Sequence, residues 1–323
     1  LHVSQHSFPT RRSSDLLISP MYIDKFQDPQ GINTVAAYVR AVNPEIKIST
    51  WDMYGRYERS EEERRKTWGQ MCDDVVNAIT AGKPRVVGFS VKWGSVEILD
   101  AIMKGLDKQM GENRPLVVLG NTGPTFAYKE FLEEYQRYGP VIAVVGEGEA
   151  ALEQIAKIAQ KNPNFRDVEL YRDIVNVVVP GGGEPKVRAL DLEGYPMADE
   201  VQAQELLEGG TGIETSRGCP WGVCAFCSLR GLYGLGQGKW RPFPLDQVFH
   251  RMEQFLKKGK RSFYIIDSEF MGPVTRDEDF NATMDRAQDF AGRVMALNEK
   301  YQNENGPIRI SVLSVRADNL IAD

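Results

Sequence analysis

Short apolar runs alternate with stretches of helical periodicity along the first half of the chain. The apolar runs are LLIS (16–19), IKISTW (46–51), RVVGFSV (85–91), LVVLG (116–120) and VIAVVG (141–146). Helical patterns start between them, near Gly31, Glu62, Ser95, Thr125 and Gly148. Buried strands that alternate with helices are typical of a parallel sheet covered by helices on both faces. We therefore predict a doubly wound, Rossmann-like α/β domain over residues 17–180.

The alternation resumes after a stretch of weak periodicity. This stretch, 181–210, begins in PGGG, and we interpret it as an interdomain linker. The pattern beyond it predicts strands at 211–216, 262–267 and 308–315 and helices at 245–258 and near 279–301. Strand, helix, strand, helix, strand is how an α/β barrel of the TIM type begins. Because the sequence stops eight residues after the third strand, we expect residues 211–323 to be only the N-terminal part of such a barrel.

Length and charge narrow the possible functions. The chain has 323 residues, enough for two domains with ordinary cores, and a formal net charge of −6. Its scattered basic residues make nucleic acid an unexpected partner. No apolar run approaches the length of about eighteen residues that a membrane span needs. Four cysteines, three of them in one motif, do not form a disulfide framework, so we expect a cytoplasmic protein.

The start of the chain differs in character from the rest. Residues 6–16 read HSFPTRRSSDL, which resembles the translation of a common sequencing-library adapter. A natural disordered basic extension is the alternative. We treat residues 1–16 as a non-native segment, which leaves His250 as the remaining histidine. A histidine-based catalytic triad or a histidine-rich metal site therefore lacks its residues.

Three of the four cysteines lie within nine residues. Cys219, Cys224 and Cys227 are spaced C-x4-C-x2-C in the stretch SRGCPWGVCAFCSLR. Such thiolates can bind zinc or an iron–sulfur cluster. Structural zinc takes four protein ligands, and neither Cys72 nor His250 is an evident fourth. A four-iron cluster held by three cysteines keeps one iron open to another ligand. The motif therefore favours a [4Fe-4S] cluster, with zinc as the alternative.

The region from about Thr211 to Asp323, with this motif after its first strand, resembles the radical S-adenosylmethionine family. The resemblance implies that the three cysteines hold a [4Fe-4S] cluster and that S-adenosyl-L-methionine chelates the open iron. In this family an electron from the cluster cleaves the cofactor, and the resulting 5′-deoxyadenosyl radical abstracts hydrogen from the substrate. A flavodoxin or ferredoxin would then be the electron donor.

The same resemblance implies residues that contact S-adenosylmethionine. Phe226, just before the last cysteine, would lie beside the adenine. Asp267 and Glu269, in IIDSEF, would meet the amino group, and Arg316, in SVRADNL, would meet the carboxylate. The alternative interpretations are a helix cap for the acids and a surface ion pair for the arginine.

The first domain, which ends in VVGEGEA, makes the chain similar to the cobalamin-binding subclass of this family. Ligands of doubly wound sheets bind at the carboxyl ends of the strands, where glycines permit close approach. Cobalamin would therefore lie near four residues at these ends: Gly120, Thr122, Gly146 and Gly148. Glycines after strands are also ordinary turn residues, which is the alternative. The D-x-H-x-x-G motif that supplies a histidine to cobalt in other cobalamin proteins is absent, as in many members of the subclass.

The cysteine motif departs from the family's common C-x3-C-x2-C by one extra residue before Cys224. An added loop residue costs little where the backbone can bulge, and Gly222 provides that freedom. We expect the extra residue to leave the three cysteines able to bind one cluster.

Three functions follow as hypotheses. The first is a cobalamin-dependent methyltransferase that acts on an unactivated carbon of a small molecule or peptide. The second is a radical enzyme of other carbon–carbon or rearrangement chemistry, whose first domain is structural or binds substrate. The third is a non-catalytic zinc or ligand-binding protein. Because the barrel is incomplete in the sequence, we expect this chain by itself to be inactive.

Overall fold

The computed structural model describes residues 15–19, 30–53, 62, 65–196, 211–233, 240–273, 277–301 and 306–315. The chain divides into two compact units, and the division falls between Arg188 and Ala189, inside the segment predicted as a linker. None of the helices in the described part of the chain has the length and apolar character needed to cross a membrane.

The first unit is a mixed sheet with helices between its strands. Its described strands are β1 (Asp15–Ser19), β2 (Ile48–Asp52), β3 (Val86–Ser90), β4 (Leu116–Gly120), β5 (Val141–Val144) and β6 (Val177–Val178). Its described α-helices are α1 (Gln30–Val42), α2 (Trp68–Gly82), α3 (Val96–Met110), α4 (Thr122–Tyr135) and α5 (Glu149–Lys161). The sheet order is β2-β1-β3-β4-β5-β6. The predicted α/β class is confirmed, and β6, antiparallel to β5, was not predicted.

Strand β4 shows why the sheet is buried on both faces. Val117 and Leu119 pack into one apolar core, whereas Leu116 and Val118 pack into a second. Alternate side chains of a strand point to opposite faces, so a continuous apolar run feeds both cores at once. The first core lies under α2 and α3 and the second under α1 and α5, which is the doubly wound arrangement.

The helix before β3 has a well-defined start. The sequence pattern predicts a helix from near Glu62, which is itself helical, and the described helix α2 starts after Thr67. The Thr67 hydroxyl accepts a hydrogen bond from the Gln70 amide at 3.3 Å, and the Gln70 side chain accepts one from the Thr67 amide at 2.8 Å. This reciprocal capping box fixes the helix start.

Strand β1 begins inside the segment that resembles an adapter translation. Asp15 pairs with Ile48, and its carboxylate accepts a hydrogen bond from the Val86 amide at 3.1 Å. Burial raises the pKa of the Asp15 carboxyl to about 7, although the Val86 hydrogen bond and the charge of Arg85 oppose the increase. The neutral acid is therefore the form that the folded sheet favours.

This shift predicts a pH-dependent stability. The folded pKa lies above the unfolded one, so the native state binds more protons between about pH 4 and pH 7. The contribution of Asp15 to the free energy of unfolding should fall over that window by about 4 kcal/mol and change no further above it. Asp15→Asn keeps the acceptor for Val86 and should abolish this part of the fall, as measured by urea unfolding of both proteins at several pH values. Identical pH profiles for the two proteins would contradict the assignment.

The second unit contains a three-stranded parallel sheet. Its described strands are β7 (Thr211–Ile213), β8 (Ser216–Arg217), β9 (Arg241–Pro242), β10 (Ser262–Ile265) and β11 (Arg309–Val312). Its described α-helices are α6 (Leu229–Leu232), α7 (Leu245–Lys257) and α8 (Asp277–Lys300). The sheet order is β11-β10-β7, and both pairings are parallel. The predicted strand–helix alternation is therefore present.

One predicted strand of this unit is divided in two. Strand β7 ends at Ile213 rather than at residue 216, and Ser216 and Arg217 instead pair with β9 in antiparallel orientation. The chain thus leaves the parallel sheet just before the cysteine motif. Helix α7, predicted at 245–258, buries Val248, Met252 and Leu256, and His250 lies exposed beside them.

Candidate functional site

The carboxyl ends of β4 and β5 bring together the four residues predicted to lie near cobalamin. Gly120 ends β4, Thr122 starts α4, and Gly146 and Gly148 occupy the loop between β5 and α5. The Gly146 amide donates a hydrogen bond to the Thr125 hydroxyl at 3.1 Å, which joins the two loops. Gly146 has a φ of 79°, in the left-handed region that favours glycine.

This edge leaves room above the sheet. A Cβ atom added to Gly120 would have no heavy atom within 4 Å apart from its chain neighbours. At Gly148 an added Cβ would meet only Val144, at 3.6 Å. The backbone here therefore leaves space for a ligand beside Gly120 and Gly148, and the binding of cobalamin there stays a prediction.

Asn121 organises this edge, and the sequence reasoning missed it. Its φ is 80°, its side-chain oxygen accepts a hydrogen bond from the Thr122 amide at 2.6 Å, and its side-chain nitrogen donates to the Ser90 hydroxyl at 2.8 Å. The ends of β3 and β4 are thereby tied together. The available signal was an asparagine between a strand and a helix, because asparagine tolerates the left-handed conformation better than most residues.

A cavity of about 790 Å³ lies at the opposite edge of the same sheet. Its lining includes Lys83, Arg85 and Arg166. The two guanidinium groups donate to backbone carbonyls, Arg85 to Ala159 at 2.6 Å and Arg166 to Arg114 at 2.6 Å. These hydrogen bonds connect the ends of neighbouring helices, strands and loops. None of the residues predicted to bind a cofactor lines this cavity.

The cysteine loop follows β8 in the second unit. Cys219 and Cys227 are partly buried, Cys224 is exposed, and all three are free thiols. Cys224 and Cys227 belong to one turn, in which the Cys227 amide donates to the Cys224 carbonyl at 3.1 Å. Among the described residues, however, no three His, Cys, Asp or Glu side chains lie close enough to bind one metal ion. Three cysteine thiols are groups that can bind a [4Fe-4S] cluster. The assignment of these three cysteines as its ligands stays a prediction.

The loop conformation agrees with the predicted bulge before Cys224. Gly222 has a φ of 59°, and Gly218, at the start of the loop, has a φ of 89°. Both values lie in the left-handed region that glycine adopts without steric cost. Phe226, predicted to lie beside an adenine, is 92% exposed. A ligand that covered this ring would remove apolar surface from water.

The two acids predicted to meet S-adenosylmethionine bond to the protein itself. Asp267 accepts hydrogen bonds from the Thr215 amide at 2.6 Å, the Thr215 hydroxyl at 2.5 Å and the Ser216 hydroxyl at 2.9 Å. Burial raises the pKa of the Asp267 carboxyl to about 6, against the opposing hydrogen bonds from Thr215. The Glu269 carboxylate accepts from the Met271 amide at 3.1 Å. Arg316 lies outside the described residues.

Two arginines that the sequence reasoning missed hold the chain just before the cysteine motif. Arg286, on α8, donates to the Thr215 carbonyl at 3.0 Å, and Arg251, on α7, donates to the Glu214 carbonyl at 2.8 Å. Burial lowers the pKa of the Arg286 guanidinium, and the charge of Asp267 opposes that shift. The only sequence signal was an arginine within or beside an apolar helical stripe.

The comparisons with known proteins agree with this arrangement. The B12 binding domain family matches residues 24–156. A curated relative, 4'-phospho-dehydrooxetanocin synthase from Priestia megaterium, is 27% identical over 227 residues, which is 64% of this chain and 28% of the relative. The chain therefore spans under a third of that protein's length.

Solved structures of TsrM, a radical S-adenosylmethionine methyltransferase from Kitasatospora setae, share the fold. One, with cobalamin and a [4Fe-4S] cluster bound, has a TM-score of 0.55 and 18% identity and covers 79% of this chain and 49% of that one. Another, with tryptophan substrate and a SAM analog bound, has a TM-score of 0.55 and 17% identity, and covers 82% and 49%.

The family model, the curated relative and the shared fold together support one class, the radical S-adenosylmethionine enzymes that bind cobalamin. This agrees with the resemblance that the cysteine motif and the first domain indicated.

Proposed function

We propose that the protein carries out cobalamin-dependent radical chemistry, with methyl transfer to an unactivated carbon as its reaction. The observation that carries the proposal is the order of parts in one chain. A domain that matches the B12-binding family precedes a parallel sheet whose first strand leads into a loop with three free cysteines. When bound, the cluster and S-adenosylmethionine would supply the substrate radical and cobalamin the methyl group.

In this proposal the residues of the chain bind and orient the cofactors. Cys219, Cys224 and Cys227 would hold the cluster, with one iron left for S-adenosylmethionine. Gly120 and Gly148 would let the corrin ring approach the sheet, because little lies above them. Residues 17–180 contain no histidine, so cobalamin would bind here without a histidine ligand from this domain. The proposed electron donor is a flavodoxin or ferredoxin.

A second candidate function is rearrangement chemistry without methyl transfer. The observation that favours it is the curated relative, whose name describes a synthase of a phosphorylated dehydrooxetanocin rather than a methyltransferase. Both candidates use the same cysteines. They differ in the first domain, which would bind cobalamin for methyl transfer in the first candidate and would be structural or bind substrate in the second.

The two candidates can be separated in one labelling experiment. The protein would be reconstituted anaerobically with iron, sulfide and hydroxocobalamin, then reduced and incubated with methyl-labelled S-adenosylmethionine. Methyl transfer predicts label on the protein-bound corrinoid together with 5′-deoxyadenosine in solution. Deoxyadenosine without labelled corrinoid would support rearrangement chemistry. Failure to bind cobalamin would overturn the methyltransferase proposal, and absence of both cofactors would overturn both.

A further inference from the structure

The start of the cysteine loop is attached to strand β10 through one buried carboxylate. Asp267, two residues after β10, is 3% exposed, while Thr215 and Ser216 are 0% and 1% exposed. One oxygen of Asp267 accepts from the Thr215 amide, and the other accepts from both hydroxyls. These hydrogen bonds join Asp267 to Thr215, which is 52 residues earlier in the sequence, and to Ser216, which is 51 residues earlier.

These bonds occupy most of what the carboxylate can accept. An ionised carboxylate has about four acceptor positions, and Thr215 fills two of them here. The Ser216 hydroxyl, whose single proton is shared between Asp267 and the Glu269 carbonyl, lies at a third. An amino group of a ligand would have to reach a side chain that is almost entirely buried. The geometry therefore disfavours the role that family resemblance implies for Asp267, which is a contact with S-adenosylmethionine.

Other groups also form hydrogen bonds around Thr215 and Ser216. The Ser216 hydroxyl lies 3.0 Å from the Glu269 carbonyl, which also accepts from the Trp240 indole at 2.8 Å. Arg286 donates to the carbonyl of Thr215, as described above. Buried, satisfied polar networks of this kind fix one conformation of the backbone.

We propose that Asp267 is a positioning residue that sets where the cysteine loop begins, rather than a ligand of S-adenosylmethionine; this inference depends on the proposed function. Only Arg217 and Gly218 separate Ser216 from Cys219. Three peptide steps span at most roughly 11 Å, so fixing Ser216 confines the first cysteine to a small volume. The carboxylate thus acts on the cluster through Thr215 and Ser216.

The test uses Thr215→Val, which removes the hydroxyl and leaves the Asp267 carboxylate in place. A hydrogen bond to a charged group is lost, so iron should leave the reconstituted protein about tenfold faster under a chelator. Asp267→Asn should lose iron at the same increased rate. Thr215→Ser keeps a hydroxyl at this position and should therefore lose iron as slowly as wild type. The clusters that remain should bind S-adenosylmethionine with affinity close to wild type, measured by equilibrium dialysis under anaerobic conditions.

Thr283→Val is the matched control. Thr283 is also buried in this unit, at 4% exposure, and its hydroxyl donates to the Pro273 carbonyl at 2.6 Å. The Thr283→Val protein should unfold at a lower temperature than wild type but lose iron no faster. Equal iron loss in this control would show general destabilisation and overturn the inference. The inference would also fail if Asp267→Asn kept its cluster and lost affinity for S-adenosylmethionine while Thr215→Val behaved as wild type. A wild-type protein that takes up no iron would instead overturn the proposed function.

Discussion

Cys224→Ala is expected to reduce the iron in the anaerobically reconstituted protein from about four atoms per chain to background. Two thiolates cannot hold the cluster that three are proposed to hold. Cys224 is exposed, so its replacement should leave the fold and its unfolding temperature unchanged. Iron and sulfide assays, together with the visible absorbance of the cluster, measure the result.

Cys72→Ala is the matched control for this prediction. Cys72 lies in α2 and packs in the first apolar core, and burial raises the pKa of its thiol. A buried thiol of this kind is a poor metal ligand, because metals bind the thiolate. The variant should keep its iron while losing about 1 kcal/mol of stability. The ligand assignment is wrong if Cys224→Ala keeps its iron or if Cys72→Ala loses it.

Gly120→Leu is expected to weaken cobalamin binding by roughly tenfold to a hundredfold. The added side chain enters open space at the end of β4, so the fold should tolerate it. That space is where the corrin ring is proposed to lie. Titration with hydroxocobalamin, followed by its absorbance after gel filtration, measures the affinity.

Gly183→Leu makes the same change at an exposed glycine that also has no neighbour within 4 Å of an added Cβ. Gly183 lies outside the residues that match the B12-binding family. Its cobalamin affinity should equal that of wild type. Equal affinity in both variants would mean that cobalamin, if bound, does not lie over β4.

Strands β3, β4 and β5 could be predicted because burial on both faces leaves a continuous apolar run in the sequence. The same reasoning could not find β6 or the β8–β9 pair, since two-residue strands have no periodicity to detect. It also extended β7 into Ser216, because nothing local shows that this residue pairs with Pro242 instead.

Residue type and spacing allow a prediction for the three cysteines, and their role as cluster ligands stays a prediction. The site was not predictable where it depends on partners distant in sequence. Asp267 reads as an acid at the end of a strand, and only the fold shows that Thr215 and Ser216 occupy its oxygens. The role of Asn121 likewise depends on its hydrogen bond to Ser90, which is 31 residues earlier in the sequence.

The asparagine tie between β3 and β4 has a consequence for how the two cofactors load. The strand ends that it joins are already ordered, so a corrin ring would bind there with little loss of conformational entropy in the protein. A cluster held by the three proposed cysteines would require the loop to bring its thiols together, which would use part of the free energy of metal binding. In the proposed function, cluster assembly would therefore be coupled to local folding, whereas the cobalamin site would already be formed before its ligand binds.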